Sequence, residues 1–175
     1  MPNGKILDNT NGGESLELAP DFFQTPKLLH GTFSFFRVMP EFSNHYKEWQ
    51  ELCELNAQDT LDEQSLADIK IGRPNSHQGD IACGLVSQSK SYKAKLKQIN
   101  RKILAIETEF GAIARFCQDN EIDFIVIRGI SDEADDTKSH FELETKDCVR
   151  KIAAFNAFQL LHYQLWLNPS IGLKT

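Results

Sequence analysis

The chain has 175 residues, of which 41% are apolar and 25% are charged, and its formal net charge is −6. This composition is typical of a soluble globular protein with a substantial core, and the negative charge argues against nucleic-acid binding, which depends on clustered cations. No apolar run reaches the roughly 18 residues of a membrane-spanning helix and no secretory signal opens the chain, so we expect a cytoplasmic protein that does not act at a membrane.

The N-terminal part of the chain combines a polar segment with two aromatic-rich segments. Residues 1–20 are rich in Asn, Gly and Ser without a period, which predicts a loose tail before a single domain over residues 21–175. Thr32–Val38 is aromatic and β-branched and predicts a strand. An amphipathic helix is predicted next, because apolar residues recur at helical spacing at Phe42, Tyr46, Trp49 and Cys53. Its aromatic stripe favours a core position over a ligand platform.

The middle of the chain predicts a short strand and a basic helix. Asp80–Val86 is small-residue-rich, with Gly84 inside it, and suggests a strand that another group approaches closely. Ser89–Lys102 combines an apolar helical stripe with six cationic side chains. We interpret it as an amphipathic helix with a solvated basic face, in preference to a nucleic-acid patch.

No metal site is predicted. The four cysteines, Cys53, Cys83, Cys117 and Cys148, are too widely spaced for a C-x-x-C metal or redox motif. Buried reduced thiols are expected at Cys83, Cys117 and Cys148, which lie among apolar residues. The histidines form no cluster with ligand spacing; they are His30, His45, His77, His140 and His162.

The clearest pattern is a predicted β-α-β unit. Ile103–Ile106 is a buried strand, a helical stripe runs from Phe110 to Cys117, and Phe124–Arg128 is a second buried strand. A long C-terminal helix follows over Val149–Leu167. We therefore predict a three-layer αβα fold with a mixed, mainly parallel sheet, whose faces are covered by the basic helix and the C-terminal helix.

Acidic residues follow both strands of this unit. Glu107-Thr108-Glu109 comes directly after the first strand, and Ser131-Asp132 comes just past the second. Parallel strands end at the same edge of a sheet, where ligands bind, and Glu107 and Glu109 point to one side if the chain is still extended there. A purely structural interpretation stays open, because acidic residues commonly cap helices and Asp is a common turn residue.

Two stretches resemble the nucleoside phosphorylase superfamily. A-I-E-T-E-F-G-A-I-A from Ala105 and F-I-V-I-R-G-I-S-D-E-A-D from Phe124 look most like methylthioadenosine/S-adenosylhomocysteine nucleosidases. That branch carries an E-M-E-x-x-x-I-A-like segment and then an apolar strand ending R-x-I-S-D-x-A-D. Gly79–Gly84 also resembles the G-x-I-A-S-G strand of the family, and the similarity covers about Arg73–Leu167.

The resemblance implies cleavage of the N-glycosidic bond of a purine nucleoside, by a nucleosidase or a nucleoside phosphorylase. By the match to the S-D motif, Asp132 is the expected general acid that protonates the purine, with Ser131 orienting it. By the match to E-M-E, Glu109 accepts hydrogen bonds from the ribose hydroxyls. No cofactor is expected, with phosphate as a candidate co-substrate.

The remaining expected substrate-binding residues depart from the family pattern or flank it. Thr108 stands where the family has Met against the sugar, with Glu107 beside it, so the 5′ group of the substrate differs from the usual one. Ser87 and Gln88 stand near the usual base-stacking positions, which puts purine stacking in doubt.

The family's opening is not recognisable in Met1–Lys70, where a strand, a Gly-rich anion or water site and an early catalytic Glu are expected. The chain is therefore expected to be an incomplete domain: a fragment such as the C-terminal part of such an enzyme, a split-gene product, or a domain that needs a complementing chain. The resemblance also suggests a homo-oligomer, a dimer or hexamer. The alternative function is a non-catalytic nucleoside-binding or regulatory module with the same fold. A flavodoxin-like domain with an unrelated ligand is a third interpretation.

Overall fold

The computed structural model describes residues 5–9, 13–17, 22–62, 65, 72–84, 90–134, 138, 145 and 147–169. The chain divides into two compact units. Unit one contains Met1–Thr25, Gly79–Phe124 and Glu133–Lys138, and unit two contains Pro26–Gln78, Ile125–Asp132 and Ser139–Thr175. The chain mixes helices with strands and includes a small parallel sheet, which is consistent with an α/β fold.

An antiparallel pair of strands opens unit one. Strand β1 (Lys5–Asn9) pairs with β2 (Gly13–Glu17), with Lys5 opposite Glu17. The prediction of a loose tail over residues 1–20 is wrong for these strands. The pairing of the two strands supplies backbone hydrogen-bond partners that the missing apolar period does not reveal.

A parallel strand pair with two helices forms the rest of unit one. These elements are β3 (Asp80–Cys83), α3 (Lys90–Ile99), β4 (Ile103–Glu107) and α4 (Phe110–Asp119). They confirm the predicted basic helix, the first strand of the β-α-β unit and its helix, and place a strand within Asp80–Val86. Strand β3 runs parallel to β4, with Cys83 opposite Glu107. Their core is Ala82, Tyr92, Leu96 and Ile103.

The prediction of a second strand at Phe124–Arg128 is wrong. Residues 122–130 adopt neither helix nor strand, and among the described residues β4 pairs with β3 instead. Phe124 belongs to unit one, where its ring lies 5.6 Å from that of Phe110, whereas Ile125 belongs to unit two. The apolar run is therefore divided between two packing environments, and burial alone does not supply the hydrogen-bonding partner that a strand requires.

Three helices build unit two. They are α1 (Lys27–Phe35), α2 (Ser43–Thr60), which follows a 3₁₀ turn at Pro40–Phe42, and α5 (Cys148–Leu167). The two long helices confirm the predicted amphipathic and C-terminal helices. The buried aromatic core contains Phe36, Tyr46 and Trp49, and side chains of α5 pack against it. The Trp49 indole also donates to the Asn156 carbonyl oxygen at 3.1 Å, which ties α2 to α5.

The predicted strand at Thr32–Val38 is also wrong, because α1 continues through Phe35. The Thr32 hydroxyl donates to the Leu28 carbonyl oxygen at 3.0 Å, one turn earlier. Phe36, directly after the helix, is 1% exposed within the aromatic core. Strand preference of aromatic and β-branched residues mostly reflects packing, and here the packing partners are helices. None of the described helices is both long and apolar enough to cross a bilayer.

Burial of Cys53 in the core of unit two predicts sensitivity to alkali. Burial raises the pKa of this thiol from its ordinary 9.0 to about 12. Above about pH 9 the unfolded chain loses the thiol proton while the folded chain keeps it, so folding stability falls by about 1.4 kcal/mol per pH unit until the folded pKa is reached. We expect Cys53→Ala to remove this part of the slope, although it lowers stability at neutral pH.

The measurement is urea unfolding in a reductant, followed by tryptophan fluorescence, since both Trp49 and Trp166 lie in unit two. Cys148→Ala is the control, because Cys148 belongs to the same unit but is only half-buried. Parallel pH dependences for wild type and Cys53→Ala above pH 9 would contradict the expectation.

Candidate functional site

Glu107 caps helix α4 from the end of strand β4. Its side chain is 9% exposed, and its carboxylate accepts the backbone N–H of Glu109 at 2.9 Å and that of Phe110 at 2.8 Å. The first amides of a helix have no partner within the helix, and its N-terminus carries partial positive charge, so a carboxylate there is stabilising. The structural interpretation of this acidic residue is therefore confirmed, and its contact with substrate stays a prediction.

Cys83, at the end of β3, completes this network. The Gly111 N–H donates to its sulfur at 3.1 Å, and its thiol hydrogen-bonds to the Glu107 carboxylate. Burial raises the pKa of the thiol, and the hydrogen bond to Glu107 raises it further, against a lowering by the Gly111 N–H. Cys83 is therefore a protonated donor at neutral pH. The sequence pattern identified Cys83 only as a buried thiol, although it occupies the Ser position of the resembled G-x-I-A-S-G strand.

Thr108 and Glu109 form the bend between β4 and α4. Both side chains are exposed, and Glu109 is the N-cap residue of α4 without making a side-chain cap hydrogen bond. The chain bends here, so the extended backbone on which Glu107 and Glu109 would share an orientation is not present, and Glu107 is buried whereas Glu109 is exposed. Glu109 thus lies just past the carboxyl end of a parallel strand, the usual place for ligand binding.

Ser131 and Asp132 are in direct contact in unit two. The Ser131 hydroxyl donates to Asp132 Oδ2 at 2.9 Å, and both residues are half-buried. The hydrogen bond restricts the rotation of the carboxyl group. A group placed in this way is suited to proton transfer in a defined direction.

Gly129 holds the segment that leads to Ser131 against helix α5. A methyl group at Gly129 would overlap the carbonyl oxygen of Ala153 and lie 2.9 Å from its Cα. Only a residue without a side chain allows the two main chains to approach this closely. This role of Gly129 was not predicted from the sequence, where the available signal was a glycine at the variable position of the resembled R-x-I-S-D motif.

The two predicted carboxylates belong to different units, Glu109 to unit one and Asp132 to unit two. Their joint action on one ligand stays a prediction. Ser87 and Gln88 lie outside the described residues. Within the part of the chain that the structure describes, no group of three or more His, Cys, Asp and Glu side chains is arranged to hold a metal ion.

Comparison with known proteins gives the family. The family model described as the phosphorylase superfamily matches residues 27–163. The match includes helices α1 and α2, upstream of Arg73, as well as both acidic motifs. A search of the curated proteins finds no match. Because the family model covers well over half of the chain, the chain belongs to the phosphorylase superfamily.

Proposed function

We propose that the protein binds a purine nucleoside and cleaves its N-glycosidic bond, as a nucleosidase or a nucleoside phosphorylase. The hydrogen bond from Ser131 to Asp132 carries this proposal, because it orients a half-buried carboxyl group within the motif that the family resemblance marks as catalytic. The proposal also holds that the domain has a three-layer αβα arrangement. It further holds that the protein is related to methylthioadenosine/S-adenosylhomocysteine nucleosidases.

Asp132 acts on the leaving base. The bond between C1′ and N9 breaks with oxocarbenium-like charge on the sugar, and the departing purine needs a proton at N7. Asp132 supplies this proton as a general acid, and the hydrogen bond from Ser131 to its Oδ2 orients the carboxyl group.

Glu109 acts on the sugar. Its exposed carboxylate accepts hydrogen bonds from the ribose hydroxyls, and its attraction to the sugar grows as positive charge develops. Thr108 lies beside the 5′ group, and Glu107 fixes the backbone of Glu109 through the cap. Ser87 and Gln88 complete the proposed base subsite. Water or phosphate is the nucleophile, and a second copy of the chain or a complementing chain supplies the remainder of the site in the cytoplasm.

The test is release of free base from adenosine, inosine and methylthioadenosine, with and without phosphate, measured by chromatography. Glu109→Ala is expected to weaken adenosine binding in calorimetry by roughly 10- to 150-fold, since hydrogen bonds to a charged group contribute about 1.5 to 3 kcal/mol. Glu41→Ala is the matched control, because Glu41 is likewise exposed but lies in unit two at the 3₁₀ turn.

Two outcomes would contradict the proposal in different ways. Adenosine binding without base release would leave a nucleoside-binding module that does not catalyse. Wild-type protein that neither binds nor cleaves any of the three nucleosides would refute the proposed function altogether.

A further inference from the structure

Three chain segments meet at the Cys83 thiol in unit one. The sulfur accepts the Gly111 N–H of α4, and the thiol donates to the carboxylate of Glu107, which ends β4. Cys83 itself ends β3 and lies opposite Glu107 in the parallel register. One side chain therefore connects the carboxyl ends of both strands with the first turn of the following helix.

The same network surrounds the backbone of Glu109. Glu107 accepts the N–H of Glu109 and that of Phe110, and Cys83 accepts the next N–H, that of Gly111. Three consecutive amides are thus held by two side chains that also bond to each other. These contacts hold the stretch of backbone from which the Glu109 side chain extends.

We propose that Cys83 is a positioning residue of the nucleoside site, acting through Glu107 and Gly111 to hold the Glu109 backbone in its ligand-binding conformation. This inference rests on the proposed function. The thiol serves as a hydrogen-bond donor and acceptor, not as a nucleophile or a redox group. A serine hydroxyl offers the same donor and acceptor, whereas alanine offers neither.

Cys83→Ala and Cys83→Ser therefore form the test pair. We expect Cys83→Ala to raise the dissociation constant for adenosine roughly tenfold, the effect of losing about one net hydrogen bond. Cys83→Ser should restore it to within about threefold of wild type. Cys117→Ala is the matched control, since Cys117 is 8% exposed in the same unit but lies on the far turns of α4.

Amide hydrogen exchange gives a second readout that does not depend on a ligand. Protection of the Glu109, Phe110 and Gly111 amides should fall in Cys83→Ala, return in Cys83→Ser and persist in Cys117→Ala. Unchanged protection in Cys83→Ala would overturn the inference whatever the ligand is.

The binding outcomes separate this inference from the proposed function. If wild type binds adenosine, Glu109→Ala does not, and Cys83→Ala binds as wild type does, the positioning role is refuted and the proposed function stands. If wild type binds none of the nucleosides, the proposed function is refuted and the nucleoside role of Cys83 with it.

Discussion

Replacing Asp132 with Asn is expected to lower kcat for base release from adenosine by about 10²- to 10⁴-fold, the usual contribution of a general acid. The amide has the size of the carboxyl group and its oxygen still accepts the Ser131 hydroxyl, which donates to Asp132 Oδ2 at 2.9 Å in the wild type. It carries no proton that it can transfer to purine N7. The substitution therefore removes the acid and preserves the local packing.

A substrate that needs no proton makes this test specific. The purine of 7-methylguanosine already carries a positive charge and departs without protonation at N7. We expect Asp132→Asn to cleave 7-methylguanosine at a rate close to that of wild type, whereas its kcat for adenosine falls by about 10²- to 10⁴-fold. Equal losses on both substrates would show that Asp132 is not the acid. Asp119→Asn, at the exposed end of α4, controls for the loss of a negative charge.

Replacing Gly129 with Ala is expected to destabilise unit two by about 3 kcal/mol, at the upper end of the range for an overpacked core. The added methyl group would overlap the Ala153 carbonyl oxygen in helix α5. The opposing atoms are main chain and cannot rotate away as a side chain would, so the segment must separate from the helix. Gly129 precedes Ser131 by two residues, and Ser131 orients Asp132 through a hydrogen bond. We therefore expect the shift of this segment to change the orientation of Asp132 as well.

Urea unfolding followed by tryptophan fluorescence measures this loss, since Trp49 is 2% exposed in the core of unit two. Gly72→Ala is the matched control, because a methyl group at Gly72 meets nothing within 4 Å. It is expected to leave stability unchanged or to raise it by up to about 1 kcal/mol, by restricting the unfolded chain. If Gly129→Ala unfolds at the same urea concentration as Gly72→Ala, the close approach to α5 is not required for folding.

The sequence by itself determined the elements whose pattern is local. The apolar spacing of Tyr46, Trp49 and Cys53 predicted helix α2, and the run at Ile103 predicted β4. A helix satisfies its backbone within one segment, so its apolar stripe is sufficient to indicate it. The motifs that contain Glu109 and Asp132 also indicated the family, and both lie within the residues that the family model matches.

Only the tertiary structure decided which segments pair and what buried polar groups contact. Thr32–Val38 and Phe124–Arg128 have strand-like compositions. The first lies largely in α1, whereas the second belongs partly to each unit and pairs with no strand among the described residues. The network of Cys83, Glu107 and Gly111 likewise joins residues far apart in the chain. Strand pairing and side-chain capping depend on partners from distant segments, and a periodic pattern records only that a residue is buried, not what it is buried against.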